Sequence, residues 1–397
     1  MNYKQLILST LKGEPTSFIP FIPRLDLWYK ANKQNGTLPQ EYRNATLLEI
    51  TDDLELGYHA VIPDFRDYYD ENGDMDIGLG IYRFKTIPYS VELKGVDRKI
   101  TRENGLTTVE YITPYGNITT KVLYDESMRN SGATLAVTME HAIKGVQDFE
   151  AIAYIFQNAE VKPNYSYYNE FKDTIVGDRG VAVVYSSIYA SPMHYIMKDL
   201  MATETFFYEF FDHPDEMEWL AGKISTFYEK IFDAAADSPG EIILSGANYD
   251  SSIVNPPFFE KYLVPSLNKQ ARILHEKGKY LITHTDGENT GLLETYLKSG
   301  FDIADSICPE PMTKLTLREI KTAFSGRITI WGGIPSISVL ENSMSDYEFD
   351  KFIDMTMESA GRGDHLILSI ADTTPPGAKF ERIKKIAKKA REFGPVK

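Results

Sequence analysis

The chain is expected to be an α/β protein of the (β/α)8 TIM-barrel class, one domain over residues 1–397 with an antiparallel β-hairpin insertion at residues 82–124. Three observations carry this expectation. Apolar, β-branched runs recur eight times, segments with helical spacing separate most of them, and one β-rich stretch with hairpin turn signals interrupts the alternation.

The eight runs are Phe18–Arg24, His59–Asp64, Val181–Ile188, Glu241–Ser245, Tyr280–His284, Asp302–Ile307, Ile328–Trp331 and Leu366–Ile370. Helical spacing marks Phe258–Lys277, Thr290–Lys298, Thr316–Phe324 and Asp346–Ala360. After the second run, Val91–Lys94, Thr107–Thr113 and Asn117–Leu123 read as strands, separated by Asn104-Gly105 and Pro114-Tyr115-Gly116. Asn-Gly between alternating runs is a strong hairpin signal, so two hairpins are expected after the second barrel strand, over the barrel mouth.

Composition points to a soluble enzyme: 43% of the 397 residues are hydrophobic and 25% charged. No apolar run approaches the roughly 20 residues of a membrane span, and Met1-Asn2-Tyr3-Lys4 opens into an amphipathic helix pattern. A cytoplasmic location is expected. The formal net charge of −15 argues against a general nucleic-acid binder, and the basic run Lys379–Arg391 reads as a solvated helix face. The single cysteine, Cys308, excludes an intrachain disulfide and a multi-cysteine metal site, which leaves His, Asp and Glu as metal donors.

Two strand ends carry the candidate chemistry. Thr283-His284-Thr285-Asp286-Gly287 follows Tyr280-Leu281-Ile282, and Ser369-Ile370-Ala371-Asp372-Thr373-Thr374-Pro375-Pro376 follows Leu366-Ile367-Leu368. In a barrel such ends converge, so His284, Asp286 and Asp372 are candidates to hold a metal or move a proton. Asp286 shares a face with His284 by strand period, and Asp372 lies too far ahead of the last helix to be its N-cap. Asp64 ends the second run as an acid/base candidate. Arg24 and Asp26 end the first, to contact substrate or to pair with each other. Several tyrosines fall just after predicted strands, and of these Tyr29, Tyr185 and Tyr249 are candidates to line a pocket for a flat or apolar ligand.

Phe18-Ile19-Pro20, Leu38-Pro39-Gln40-Glu41-Tyr42-Arg43, Pro265-Ser266-Leu267-Asn268-Lys269, His284-Thr285-Asp286-Gly287, Gly332-Gly333-Ile334 and Pro375-Pro376 together resemble the uroporphyrinogen decarboxylase superfamily. This superfamily also contains zinc-dependent methyltransferases that work with corrinoid proteins. The resemblance implies a (β/α)8 barrel. In the thiol-directed methyltransferases a His-x-Cys-Gly motif and a second Cys occupy the positions that here hold His284, Asp286 and Asp372. In the decarboxylase branch two arginines hold the substrate carboxylates; Arg24 matches the first, the second is missing, Asp64 matches the carboxylate of the second strand, and Asp372 stands where a histidine is expected. These changes make the mouth more acidic, which disfavours a substrate with eight carboxylates.

The branch that cleaves methyl ethers is the nearest in kind. It implies an O-demethylase methyltransferase that takes a methyl group from a methoxylated aromatic and passes it to the cobalt(I) of a separate corrinoid protein. A zinc ion held by His284, Asp286 and Asp372 would polarise the ether oxygen. Cobalamin is expected to come with the corrinoid partner, because this chain has no Asp-x-His-x-x-Gly run of the kind that ligates cobalt. The alternatives are a decarboxylase for a smaller substrate, with Asp64 as acid/base and no metal, and a non-catalytic binding protein of a corrinoid pathway.

Overall fold

The computed structural model describes residues 1–396. In chain order its strands are β1 (Tyr89–Leu93), β2 (Asp97–Glu103), β3 (Leu106–Thr113), β4 (Gly116–Leu123), β5 (Val137–Glu140), β6 (Ala159–Pro163), β7 (Val184–Tyr185), β8 (Ile242–Ala247), β9 (Tyr280–His284), β10 (Ile303–Ile307), β11 (Thr329–Pro335) and β12 (Leu366–Ala371). β7 to β12 form one parallel sheet in sequential order. Every residue of β10, β11 and β12 is buried, as a sheet covered on both faces requires. Helices such as Val264–Glu276, Leu293–Ser299, Leu317–Phe324 and Asp346–Ser359 provide the outer cover. A sequential parallel sheet with helical crossovers is the TIM-barrel type of α/β fold.

Alternate residues divide between two cores. Ile242, Leu244, Ile282, Ile303, Trp331 and Ile367 pack together on the inner face, where Ile7 and Leu11 of the first helix, Tyr3–Leu11, meet them. Asn2 and Gln5 close a reciprocal cap on that helix. Ile243, Leu281, Ala304, Ile330 and Leu368 face outward into the larger apolar cluster beneath the helices. Each fully buried Ile or Leu contributes about 1.5–3 kcal/mol.

The first two expected strands are present as hydrogen-bonded segments rather than regular strands. Ile22 N donates to Leu368 O and Leu368 N to Pro20 O, both at 2.8 Å. Gly57 N donates to Phe21 O at 3.2 Å, and Val183 N to Ala60 O at 3.0 Å. Pro20, Pro23 and Pro63 remove donors from these segments, which limits their ladders to scattered bonds.

The β-rich stretch differs from expectation in extent and pairing. β2, β3, β4 and β5 form a four-stranded antiparallel sheet, and Asn104 and Gly105, at φ 50° and 80°, make its first turn. β1 leaves this sheet to pair with β6, so antiparallel structure continues past the expected limit at residue 124. Short-range turn signals identify adjacent hairpins but carry nothing about the distant partner, Ala159–Pro163. The basic run lies on helix Phe380–Glu392, where Lys379, Arg382 and Lys389 pair with Asp346 and Asp354 at 2.6–3.2 Å. It is thus a salt-bridged seam with the preceding helix. No helix among the described residues is long and apolar enough to cross a membrane.

Asp76 anchors the antiparallel sheet. Its carboxylate, 1% exposed, receives Arg98 Nε and Nη2 at 2.9 and 3.0 Å and Arg83 Nη2 at 3.1 Å. Asp76→Ala strands Arg98 and leaves Arg83 only the longer ion pair to Asp70 at 3.9 Å, in a largely desolvated setting, and we expect a loss of about 3 kcal/mol in urea unfolding. An unchanged midpoint would show that the layer docks through apolar contacts such as Val109, Tyr111 and Ile118 alone.

Candidate active site

Four chain segments meet at the ends of the parallel strands. β9 ends at His284, and register places Asp305 of β10 directly beside it. His284 Nδ1 bonds Asp305 Oδ2 at 2.6 Å, with Asp305 only 1% exposed. Thr285 reinforces the junction by donating its N–H and its hydroxyl to Asp305 O, at 2.7 and 2.8 Å. On its other side, His284 Nε2 lies 3.3 Å from Oδ1 of Asp372, the residue after β12. Arg24, from the first extended segment, reaches the same Oδ1 with Nη1 at 3.4 Å and Asp26 Oδ1 with Nε at 3.1 Å.

A bulge at Ser306 completes the cluster. The register of β10 against β11 slips between Asp305 and Ile307, and Ser306 takes a left-handed φ of 58°. This re-aims its hydroxyl, which donates to Asp372 Oδ1 at 3.3 Å and also lies 3.4 Å from Asp305 Oδ2. The bulge needs glycine opposite: a Cβ on Gly332 would lie 2.6 Å from Ile307 O. The Gly332-Gly333 pair noted in the sequence is therefore part of how the site is built.

Charge within the cluster is unevenly matched. Arg24 and a protonated His284 face Asp26, Asp286, Asp305 and Asp372. Burial pulls the imidazolium of His284 down, but Asp372, Asp305 and Asp286 together push it up, to about 9. Asp372 is held below the usual carboxylate range: burial raises it, while His284, Arg24, Ser306 and His59 outweigh that. Asp286 goes the other way, raised by burial and by Asp372 against the pull of His284. His284 is accordingly a buried cation with a directed Nε2 proton, and it can donate that proton or a strong hydrogen bond.

Beside this cluster lies a cavity of about 270 Å³, lined by Arg24, Asp26, Tyr29, Lys30, Tyr58, His59, Asp64 and neighbouring apolar groups. The structure therefore brings His284, Asp372, Arg24 and Asp26 together, with Asp286 close enough to act on their charge. Asp64 stands apart, in the cavity wall, where Lys30 Nζ holds it at 2.7 Å. Tyr29 lines the same cavity with its hydroxyl on Ala45 O at 3.0 Å. Tyr185 packs edge-on against Phe65 at 5.7 Å. Tyr249 is not a pocket residue: it is fully buried, bonded to Thr283 Oγ1 at 2.6 Å and packed on Phe259 and Tyr296. It does lie in the irregular segment after β8, but its side chain points into the core.

Asp305 and His59 were not singled out from the sequence. A charged residue inside Ile303-Ala304-Asp305-Ser306-Ile307 was the available signal, since a buried carboxylate in an apolar strand needs a partner. His59 stands at the start of the second apolar run, where its local pattern carries no mark of a site. Cys308, next to the bulge, is buried, and burial followed by Asp286 and Asp372 pushes its thiol up to about 12.

The donors expected for zinc are present in kind, since Asp305 orients His284 as the partner of a metal-bound imidazole does and leaves Nε2 toward Asp372. Their placement does not fit. Among the described residues no group of three or more His, Cys, Asp and Glu side chains is gathered so as to hold a metal ion. Asp372 is engaged instead by Arg24 and Ser306.

A family model described as uroporphyrinogen decarboxylase (URO-D) matches residues 182–393, more than half of the chain and all of β7 to β12. A methyltransferase from Methanosarcina mazei is 14% identical and aligns over 99% of this chain and 98% of its own, with a TM-score of 0.55. That likeness is one of fold. No curated protein sequence matches the chain.

The raised value of His284 has a consequence for stability. A group whose folded-state value exceeds its ordinary one stabilises fully below the ordinary value, 6.5 here, and ceases to do so as pH rises through about 9. Between those limits the urea midpoint of the wild type is expected to fall more steeply than that of His284→Gln. Parallel curves would mean that the imidazole is neutral in the folded chain.

Proposed function

The chain belongs to the uroporphyrinogen decarboxylase family, and on that premise we propose that it is a methyltransferase that moves the methyl group of a methoxylated aromatic to the cobalt(I) of a separate corrinoid protein. We read the bonds at Pro20–Ile22 and Gly57–Ala60 as the two staves that close an eight-stranded barrel, with the antiparallel sheet inserted after the second. The observation that carries the functional reading is the geometry of His284, whose Nδ1 is fixed by Asp305 and whose Nε2 faces the strand ends beside Asp372. Ether cleavage needs an acid at the leaving oxygen and no protein nucleophile, and the chain's one thiol is buried and held protonated. Decarboxylation of a polycarboxylate is poorly served, because Arg24 already has Asp26 and Asp372 as counter-charges.

In the proposed reaction the electron pair of cobalt(I) forms the cobalt–carbon bond while the carbon–oxygen bond breaks and its pair stays on oxygen. The Nε2 proton of His284 passes to that oxygen, giving a phenol and methyl-cobalt(III). Asp305 keeps Nδ1 engaged throughout, so only Nε2 delivers a proton. Before transfer the ether oxygen takes the place of Asp372 as acceptor of that proton. Arg24 then carries the charge of the released Asp372.

The test is transfer from a panel of methoxylated aromatics to a reduced corrinoid protein, followed by the absorbance of methyl-cobalt. His284→Gln is expected to lower the rate about 100-fold or more with the fold intact. Metal analysis decides the nature of the electrophile. About one zinc per chain, lost in His284→Ala, would put zinc where the imidazolium is placed here. Failure of every methoxylated donor with an active corrinoid protein would sink the proposal.

A further inference from the structure

The 270 Å³ cavity has an uneven chemistry. Its charged groups are satisfied among themselves or by neighbours: Arg24 by Asp26 at 3.1 Å, Lys30 by Asp64 at 2.7 Å, and Asp67 by Lys85 at 2.8 Å. Among the described residues three neutral polar groups in its lining have no hydrogen-bond partner: Thr86 Oγ1, which is buried, and the His59 ring and Tyr58 hydroxyl, which border the cavity. His59 meets Trp331 edge-on at 6.2 Å. Burial is the largest influence on it and holds its imidazole down to about 4, so it is neutral near pH 7 and offers one donor and one acceptor.

We propose that this cavity is the aromatic-binding site, that it takes an uncharged phenolic methyl ether in preference to a methoxybenzoate, and that His59 selects that substrate by hydrogen bonding to its hydroxyl. This inference rests on the function proposed above and narrows its substrate class. The volume falls just below the roughly 300–1,000 Å³ usual for ligand pockets, which limits the occupant to one ring with small substituents. A substrate carboxylate would enter beside Asp26 and Asp64 with no cation free to meet it, and an unpaired buried charge is costly. A phenolic hydroxyl instead finds an unpartnered imidazole. Arg24 and Asp26 belong both to this cavity and to the His284 cluster, so a ring bound here lies beside the acid.

Equilibrium binding of three probes separates the possibilities without any turnover: 2-methoxyphenol, methoxybenzene and 4-hydroxy-3-methoxybenzoate, titrated calorimetrically into the wild type, His59→Phe and His59→Gln. For 2-methoxyphenol we expect His59→Phe to raise Kd about tenfold and His59→Gln to recover part of that loss. Methoxybenzene binding is expected to be unchanged by either substitution, and the benzoate to bind most weakly to the wild type. Thermal melts of both variants confirm that the fold is kept. Equal weakening of 2-methoxyphenol and methoxybenzene in His59→Phe would make His59 a packing residue and overturn the proposal. So would benzoate binding as tight as that of 2-methoxyphenol, which would leave the methyltransferase reading standing. If none of the three binds, this proposal falls, and the methyltransferase reading is decided by the transfer assay.

Discussion

Asp305 is almost fully buried and is bonded to His284 Nδ1, and that one contact determines what the neighbouring residues must do. A carboxylate buried inside a strand is tolerated only with a partner. Here the partner is the ring of the adjacent strand, so the pairing of β9 with β10 and the orientation of the imidazole are set together. With Nδ1 engaged, Nε2 faces Asp372, whose second cation is Arg24 from the opposite end of the chain. The first extended segment and the last strand are therefore joined by charge as well as by the backbone bonds at Leu368.

The cluster also shows why its carboxylates are unequal. Asp372 receives two cations and a hydroxyl and stays ionised, whereas Asp286 has burial and a like charge against it. Two aspartates that look interchangeable as strand-end residues thus have opposite tendencies. What separates them is the reach of Arg24 and of the Ser306 hydroxyl, and both depend on backbone features: a proline-rich segment and a bulge seated on Gly332.

Periodicity in the sequence was enough to locate all six regular parallel strands, because a strand buried on both faces has a continuous apolar signature. It overstated the first two, where proline breaks the ladder that β-branched residues suggest. The hairpin signals located β3 and β4 but missed β2, whose residues Asp97–Glu103 are almost all exposed and so carry no apolar alternation. At the site, His284, Asp372, Arg24 and Asp26 could be found because strand ends converge in this architecture. The role of Asp305 could not, since it depends on which residue of a neighbouring strand stands opposite. Tyr249 failed for the converse reason: position in a loop after a strand does not tell whether the side chain points to the cavity or into the core.

The one sulfhydryl of this chain is shut away beside the bulge, and its surroundings keep it from ionising. Maleimide dyes act on exposed or ionised thiols, so the native surface offers them no target. A cysteine introduced anywhere on the exterior would therefore be the sole point of attachment. Fluorophores or spin labels can be placed around the ends of the parallel strands without first removing a natural residue, so a signal from a chosen position carries no thiol background.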